Sequence, residues 1–236
     1  MKNVMKKQQR QQQDSGFFSG SLAAVFLIGV NIAAYLFFQF SENGPGLVAR
    51  FILYPGNILQ GHYWTLLTSG FLHLNWTHLG LNMLGIFIFG RVVERRLGFR
   101  TTLFIYFGAL FISMLASLVI YAAVLQKNVA VLGASGAVMG LISAAMLIAP
   151  FSVTWEMLLP IPTMVKGWMF FYADIKGFLG GEQDGVSHLA HLCGFLSVMI
   201  LVYFLSTDDR KKFTAGLVIN VLSLAAAVWV KQRYFL

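Results

Sequence analysis

The sequence predicts an all-α polytopic membrane protein, and three observations lead to that prediction. Hydrophobic residues make up 58% of the chain and charged residues only 11%, with a mean hydropathy of +0.72. A soluble domain of this size carries far more charge. The apolar residues are gathered into stretches of about 20 residues, which is the length that a helix needs to cross a bilayer. No alternating barrel pattern occurs, and open sheet edges are unstable in lipid, so each stretch is predicted to be a helix.

Seven stretches are predicted as spans in the order 17–40, 73–92, 101–125, 133–150, 161–180, 187–206 and 213–230. The first is too long for the core of a signal peptide and ends without a small-x-small pattern, so we expect an uncleaved span. The fifth is the least apolar, because it contains Lys166, Asp174 and Lys176. We expect the two lysines to extend along the helix and place their charges at the two membrane interfaces.

Basic residues predict the orientation of these spans. Four precede the first span, four lie between the second and third, and three follow the sixth. These places share one side of the membrane if the N-terminus is cytoplasmic, as the positive-inside rule requires. The loops expected on the other side, 41–72, 126–132 and 181–186, contain only Arg50 and Lys127 as basic residues. The N-terminus lacks an Arg- and Ser-rich transit signature, so a bacterial inner (cell) membrane is the expected location.

The predicted organisation has three parts. A polar basic tail, 1–16, is expected in the cytoplasm, followed by a six-span core over 17–206 and a basic linker with a seventh helix over 207–236. The stretch 213–230 is barely long enough to span and would place Lys231 and Arg233 outside, so an interfacial helix is the alternative. We predict a span.

Four polar side chains from three of these spans lie at similar predicted depths. His78 is about 8 Å along the second span at 1.5 Å per residue, and Asn82 follows one turn later on the same face. Ser135 lies in the first turn of the fourth span, and His191 about one turn into the sixth. With the predicted topology, all four side chains lie near the same membrane face.

These residue types fit hydrolysis of a peptide bond inside a membrane. A serine hydroxyl becomes nucleophilic when a neighbouring base takes its proton, and a histidine is suited to that task. The tetrahedral intermediate needs hydrogen-bond donors, which the free N–H groups at a helix start and the side chains of His78 and Asn82 can supply. No acidic residue matches the third member of a catalytic triad, so a serine–histidine dyad is predicted.

Small residues predict that the fourth and sixth spans lie close together. Gly133 and Gly136 flank the serine, and Gly194 follows the histidine by three residues. Such residues let membrane helices approach closely. Taken alone, this pattern indicates packing; combined with the shared depth of the polar groups, it indicates a catalytic site.

Three short motifs carry a family resemblance: His78-x-x-x-Asn82, Gly133-x-Ser135-Gly136 and Ala190-His191-x-x-Gly194. Together they resemble the rhomboid family of intramembrane serine proteases, over roughly 17–206. The resemblance implies a six-helix rhomboid-like bundle with Ser135 as nucleophile and His191 as general base. It also implies that His78 and Asn82 stabilise the oxyanion, that no cofactor is used, and that the substrates are single-span or polytopic membrane proteins.

Three positions depart from the family pattern. Thr65 stands where rhomboids usually have an arginine after a tryptophan in the first outer loop. Met139 replaces an aromatic residue one turn after the nucleophile, and Val198 replaces a glycine one turn after Gly194.

Two other functions compete with proteolysis. A catalytically silent rhomboid-like protein would bind membrane clients, and loss of the serine or the base would be its signature; both residues are present. A metal transporter or metalloprotein would use the membrane histidines, His73, His78, His188 and His191. No carboxylate is expected near these histidines and no His-Glu-x-x-His pattern occurs, so no metal is predicted. Nucleic acid is not an expected partner, because basic and aromatic residues are not interleaved.

Overall fold

The computed structural model describes residues 21–154, 160–181 and 186–234, and within these ranges the chain is almost entirely helical. The helices are α1 (Leu22–Phe40), α2 (Gly44–Phe51), α3 (Pro55–Leu59), α4 (Thr65–Thr68), α5 (Trp76–Leu97), α6 (Phe99–Val124), α7 (Ser135–Ile148), α8 (Thr163–Gly180), α9 (His188–Phe204) and α10 (Thr207–Tyr234). The predicted all-α polytopic bundle is therefore confirmed. The predicted tail and the first residues of the first stretch lie outside the described residues.

Four helices among the described residues are long and apolar enough to cross a membrane: α1, α5, α6 and α10. Two more, α7 and α9, are apolar but shorter. Helix α8 has 18 residues, and its charged side chains lower its hydropathy, as its sequence indicated. These helices correspond in order to the seven predicted stretches.

Helix α7 is the centre of the bundle. Every residue from Gly136 to Leu147 is buried, and α5, α6, α8, α9 and α10 all pack against it. A helix that is apolar on all sides is expected in such an interior position. Its 14 residues extend about 21 Å at 1.5 Å per residue, less than the roughly 30 Å of hydrocarbon in a bilayer. Helix α7 is therefore too short to cross that thickness by itself.

A buried carboxylate fastens α1 to the end of α5. Glu94 Oε2 accepts hydrogen bonds from the backbone N–H groups of Ala23 (2.9 Å) and Ala24 (3.4 Å). The first N–H groups of a helix have no partner within it, so this carboxylate supplies one and also complements the helix dipole. Four residues later Gly98, with φ of +83°, turns the chain into α6. The Glu94–Gly98 segment thus has a structural role.

The connection before α8 has a short antiparallel pairing of β1 (Val153–Thr154) with β2 (Ile161–Pro162). Lys166, in the first turns of α8, donates a hydrogen bond to the carbonyl oxygen of Thr154 at 3.0 Å and contacts the Thr154 hydroxyl. Its side chain is only 3% exposed. The expectation that Lys166 extends to an interface is therefore wrong, because Thr154 binds its ammonium group inside the protein. Lys176 is exposed.

The C-terminal helix α10 is 28 residues long and includes the basic segment 207–212. Its Asn220 side chain donates a hydrogen bond to the Met146 carbonyl oxygen of α7 at 3.0 Å. Gly216, one turn earlier, lies so close to Leu147 that an added Cβ would overlap the Leu147 backbone. Length and composition allow α10 to cross a membrane, and these contacts dock it on the central helix.

We expect Glu94→Ala to lower the free energy of unfolding by roughly 0.5–2 kcal/mol, the usual cost of losing a helix N-terminal cap. The two amide groups of α1 would lose their acceptor in a buried place. Unfolding by sodium dodecyl sulfate titration in mixed micelles would measure this change. Glu42→Ala, at an exposed glutamate after α1, is the matched control, and an equal effect of both substitutions would contradict the capping role.

Candidate active site

A cavity of about 630 Å³ lies between α5, α7, α8 and α9, and all four predicted site residues line it. His78 and Asn82 come from α5, Ser135 from α7 and His191 from α9. The other lining side chains are mainly apolar: Leu81, Ile88, Phe89, Val131, Val138, Met139, Ile142, Phe170 and Ala173 among them. A mostly apolar cavity with a few convergent polar groups is the usual form of a binding or active site.

Ser135 lies at the first position of α7, where the incoming loop fixes its place. The Val131 amide donates to the Leu53 carbonyl, and the Gly133 amide donates to the Ser69 carbonyl, both at 2.9 Å. Gly133 has φ of +106°, a conformation that side chains disfavour, and the His78 ring occupies the space of its missing Cβ. The sequence predicted that this helix begins at Gly133, but it begins two residues later, at Ser135. The half-buried Ser135 has the free N–H groups of a helix start beside it.

Glycines bring α7 and α9 into backbone contact. A Cβ added at Gly194 would overlap the Gly136 carbonyl group, and one added at Gly136 would overlap the Ser113 side chain of α6. Helices α6, α7 and α9 therefore meet next to the loop that precedes Ser135. Val198 stands where the family pattern has a further glycine, and it is fully buried. The contact between Gly136 and Gly194 forms in its presence.

The hydrogen bonds of His78 indicate which of its ring nitrogens carries a proton. Its Nδ1 accepts the Leu74 N–H at 3.3 Å, so the proton of a neutral ring is on Nε2. The ring packs against Gly133 next to Ser135, which makes Nε2–H a donor in the neighbourhood of the serine. The Asn82 amide donates one hydrogen bond to the His78 carbonyl at 2.8 Å and retains a second N–H. Both side chains thus have donors suited to an oxyanion.

His73 lies in the loop ahead of α5, and its ring contacts that of His78 edge to face, with centroids 5.2 Å apart. Burial and the neighbouring His78 lower the pKa of His73 to about 4. The His73 ring is therefore neutral near pH 7 and adds no positive charge beside His78.

The structure also places an acidic residue at the site, which sequence reasoning missed. Asp174 of α8 is 5% exposed, and its Oδ1 lies 2.8 Å from Nδ1 of His191 and 2.8 Å from Nδ1 of His188. The predictions that no acidic residue accompanies the base and that no carboxylate lies near the membrane histidines are therefore wrong. His188 contacts the same carboxylate oxygen but does not line the cavity. A carboxylate within an apolar stretch is the sequence signal that points to such a residue.

This cluster has the composition of a metal site. The potential ligand atoms of Asp174, His188 and His191 all lie within 4.8 Å of one another. The 2.8 Å separations are those of hydrogen bonds between an imidazole N–H and a carboxylate oxygen. Direct hydrogen bonding therefore accounts for the arrangement of the three side chains.

The loop over 41–72, in which Thr65 stands in place of the arginine of the family pattern, is held by hydrogen bonds between its own residues. Thr65 is fully buried and donates to the His62 carbonyl at 2.7 Å, and the Trp64 indole donates to the Arg50 carbonyl at 3.4 Å. The Thr68 hydroxyl donates to the Phe51 carbonyl at 3.0 Å. Hydroxyl and indole groups thus join separate parts of this loop to one another.

Comparison with known proteins identifies the family. A model of the Rhomboid domain matches residues 60–208, which is more than half of the chain. The chain belongs to the rhomboid family. Its apolar helices and its rhomboid relatives make it an integral, multi-pass membrane protein.

Rhomboid relatives come from bacteria and plants. Rhomboid protease AarA of Providencia stuartii is 29% identical over 241 residues, covering 92% of this chain and 85% of AarA. The putative rhomboid protease YdcA of Bacillus subtilis is 26% identical over 170 residues, covering 72% and 82%. Rhomboid-like protein 11, chloroplastic, of Arabidopsis thaliana is 30% identical over 155 residues, covering 61% and 53%. The chain thus spans about half the length of that plant relative.

We expect Gly194→Ala to lower the free energy of unfolding by about 1–3 kcal/mol, the usual cost of overpacking a well-packed interior. The added methyl group would push the Gly136 backbone away and separate α7 from α9. The same detergent titration measures the change. Gly80→Ala is the matched control, since nothing lies within 4 Å of its added Cβ. If the control destabilised the protein equally, helix conformation and not the contact between helices would be responsible.

Proposed function

We propose that this rhomboid protein is an intramembrane serine endopeptidase that hydrolyses peptide bonds in or near the transmembrane segments of other membrane proteins. Ser135 is the nucleophile and His191 the general base. The observation that carries the proposal is their meeting in one cavity, together with His78 and Asn82. Members of the rhomboid family act on membrane-protein substrates within the bilayer, and the protein has the residues for that chemistry.

The first chemical step joins the serine to the scissile carbonyl. As the Ser135 Oγ–carbon bond forms, the hydroxyl proton passes to Nε2 of His191 and the carbonyl electron pair moves to the oxygen. The backbone N–H at the start of α7, Nε2–H of His78 and the Asn82 amide are donors for that oxygen. The His191 proton then passes to the amine nitrogen as the carbon–nitrogen bond breaks, and water hydrolyses the acyl-enzyme.

The proposal also includes the orientation and location of the protein in the membrane. The core over 17–206 forms the catalytic bundle, with the N-terminus in the cytoplasm and the site near the opposite face. The basic residues of the chain and its similarity to bacterial rhomboid proteases favour a bacterial inner membrane. Substrates are single-span or polytopic membrane proteins, which reach the cavity from the lipid.

We expect the reconstituted wild-type protein to cleave a tagged single-span substrate in liposomes and Ser135→Ala to give no product, because the nucleophile is gone. Ser143→Ala is the matched control: this serine lies on the same helix, is 1% exposed and lies outside the cavity lining. Separation of substrate and product on gels measures the rates. Equal cleavage by the wild type and Ser135→Ala would remove Ser135 from the mechanism.

Absence of cleavage by the wild type would favour the silent client-binding protein. Co-purification of the intact tagged substrate with both the wild type and Ser135→Ala would then support that function. Labelling of the wild type by a fluorophosphonate, with none in Ser135→Ala, would instead show a reactive serine and support the protease.

The Asp174–His188–His191 cluster favours a metalloprotein as the second candidate. We expect EDTA and 1,10-phenanthroline to leave cleavage unchanged, since the proposed chemistry needs no metal. Added Zn²⁺ should slow cleavage by occupying His191, and excess chelator should reverse that inhibition. Loss of cleavage on chelation, with recovery on adding Zn²⁺, would replace the serine mechanism by a metal-dependent one.

A further inference from the structure

The inference concerns the carboxylate of Asp174, which α8 places against the proposed base. A carboxylate inside a membrane protein is costly unless it is paired or hydrogen-bonded. Asp174 is 5% exposed, and one of its oxygens is 2.8 Å from a ring nitrogen of each of two histidines. Its position therefore depends on His188 and His191, and theirs on Asp174.

The hydrogen bond between His191 and Asp174 determines which nitrogen of the His191 ring carries the proton. An ionised carboxylate only accepts hydrogen bonds, so the His191 nitrogen facing it, Nδ1, must carry a proton. In the neutral ring, Nε2 is then left without one and has a lone pair. A general base for Ser135 needs that lone pair, and the opposite tautomer would present an N–H to the serine instead.

The surrounding backbone is built to hold the cluster. Gly177 lies one turn after Asp174 on α8, and the His188 ring occupies the space that a Cβ there would fill. His188 and His191 are also one turn apart, so both rings face the same carboxylate from α9. The Ser187 hydroxyl accepts the Ala190 N–H and caps this end of α9 at 3.4 Å. The contacts thus join one turn of α8 to one turn of α9.

We propose that Asp174 is a positioning residue for His191, so that the site works as a serine–histidine–aspartate arrangement and not as a dyad. This inference rests on the proposed function. When His191 takes the Ser135 proton at Nε2, its ring becomes an imidazolium, and the Asp174 charge stabilises it while the Nδ1 proton stays in place. His188 holds the carboxylate through the same oxygen, which restricts its rotation.

The test is Asp174→Asn, which keeps the size of the side chain but removes its charge. The amide can turn its NH₂ group toward Nδ1, which moves the His191 proton to Nε2 and blocks proton transfer from Ser135. We expect kcat for a liposome-reconstituted substrate to fall by about 10²- to 10⁴-fold while KM changes by less than about threefold. Asp208→Asn, at an exposed acidic residue of α10, is the matched control and should retain wild-type kinetics.

A second measurement reads the tautomer without relying on activity. Nitrogen-15 NMR of histidine-labelled protein, with His191 assigned by its loss in His191→Gln, should show the wild-type proton on Nδ1. The signal should change in Asp174→Asn and stay unchanged in Asp208→Asn. The wild-type spectrum alone is decisive if Asp174→Asn fails to fold, which thermal unfolding would reveal.

The outcomes separate this inference from the proposed function. Cleavage by the wild type but not by Ser135→Ala, with kcat unchanged in Asp174→Asn, would overturn the positioning role and leave the protease intact. If the wild type cleaves nothing and a fluorophosphonate does not label Ser135, the proposed function fails, and the NMR result still decides whether Asp174 sets the tautomer. A wild-type proton on Nε2, or a His191 signal that shifts on adding chelator, would overturn the inference.

Discussion

The contact between α7 and α9 at Gly136 and Gly194 is the constraint on which the site depends. Two backbones meet there without intervening side chains, and Ser135 and His191 beside that contact line the same cavity. Ser135 precedes Gly136, and His191 lies three residues before Gly194. A helix pair spaced by larger side chains would hold the same two residues farther apart. The close packing of the two helices thus favours the proposed chemistry.

Several polar side chains inside the bundle form hydrogen bonds that join separate helices. Glu94 caps α1 from the end of α5, and Asn220 of α10 binds a carbonyl of α7. The Asn31 amide of α1 donates to the Tyr106 hydroxyl of α6 at 3.1 Å. Interhelical hydrogen bonds of this kind contribute about 0.6 kcal/mol each on average in membrane proteins. These hydrogen bonds therefore stabilise the bundle in addition to the packing of its helices and do not substitute for that packing.

Helix α8 connects this framework to the proposed chemistry. It corresponds to the fifth predicted span, and its charged groups are used in different ways. Lys166 is bound by Thr154 next to the short strands, Asp174 is bound by two histidines, and Lys176 is exposed. The composition of α8 showed that charges are present, but their separate roles depend on which neighbours the fold brings to each one.

Local patterns determined most of the fold, because apolar length and small residues can be recognised within single segments of the sequence. The order of the helices, the close approach at Gly136 and Gly194, and the choice of Ser135, His78, Asn82 and His191 as candidates were all predictable in this way. Asp174 was not recognised, because it lies 17 residues before His191 on another helix and no spacing rule joins them. Only the packing of α8 against α9 brings that carboxylate to the histidines. Tertiary structure likewise decided that Lys166 is buried and that α10 docks on α7, since both depend on contacts between distant parts of the chain.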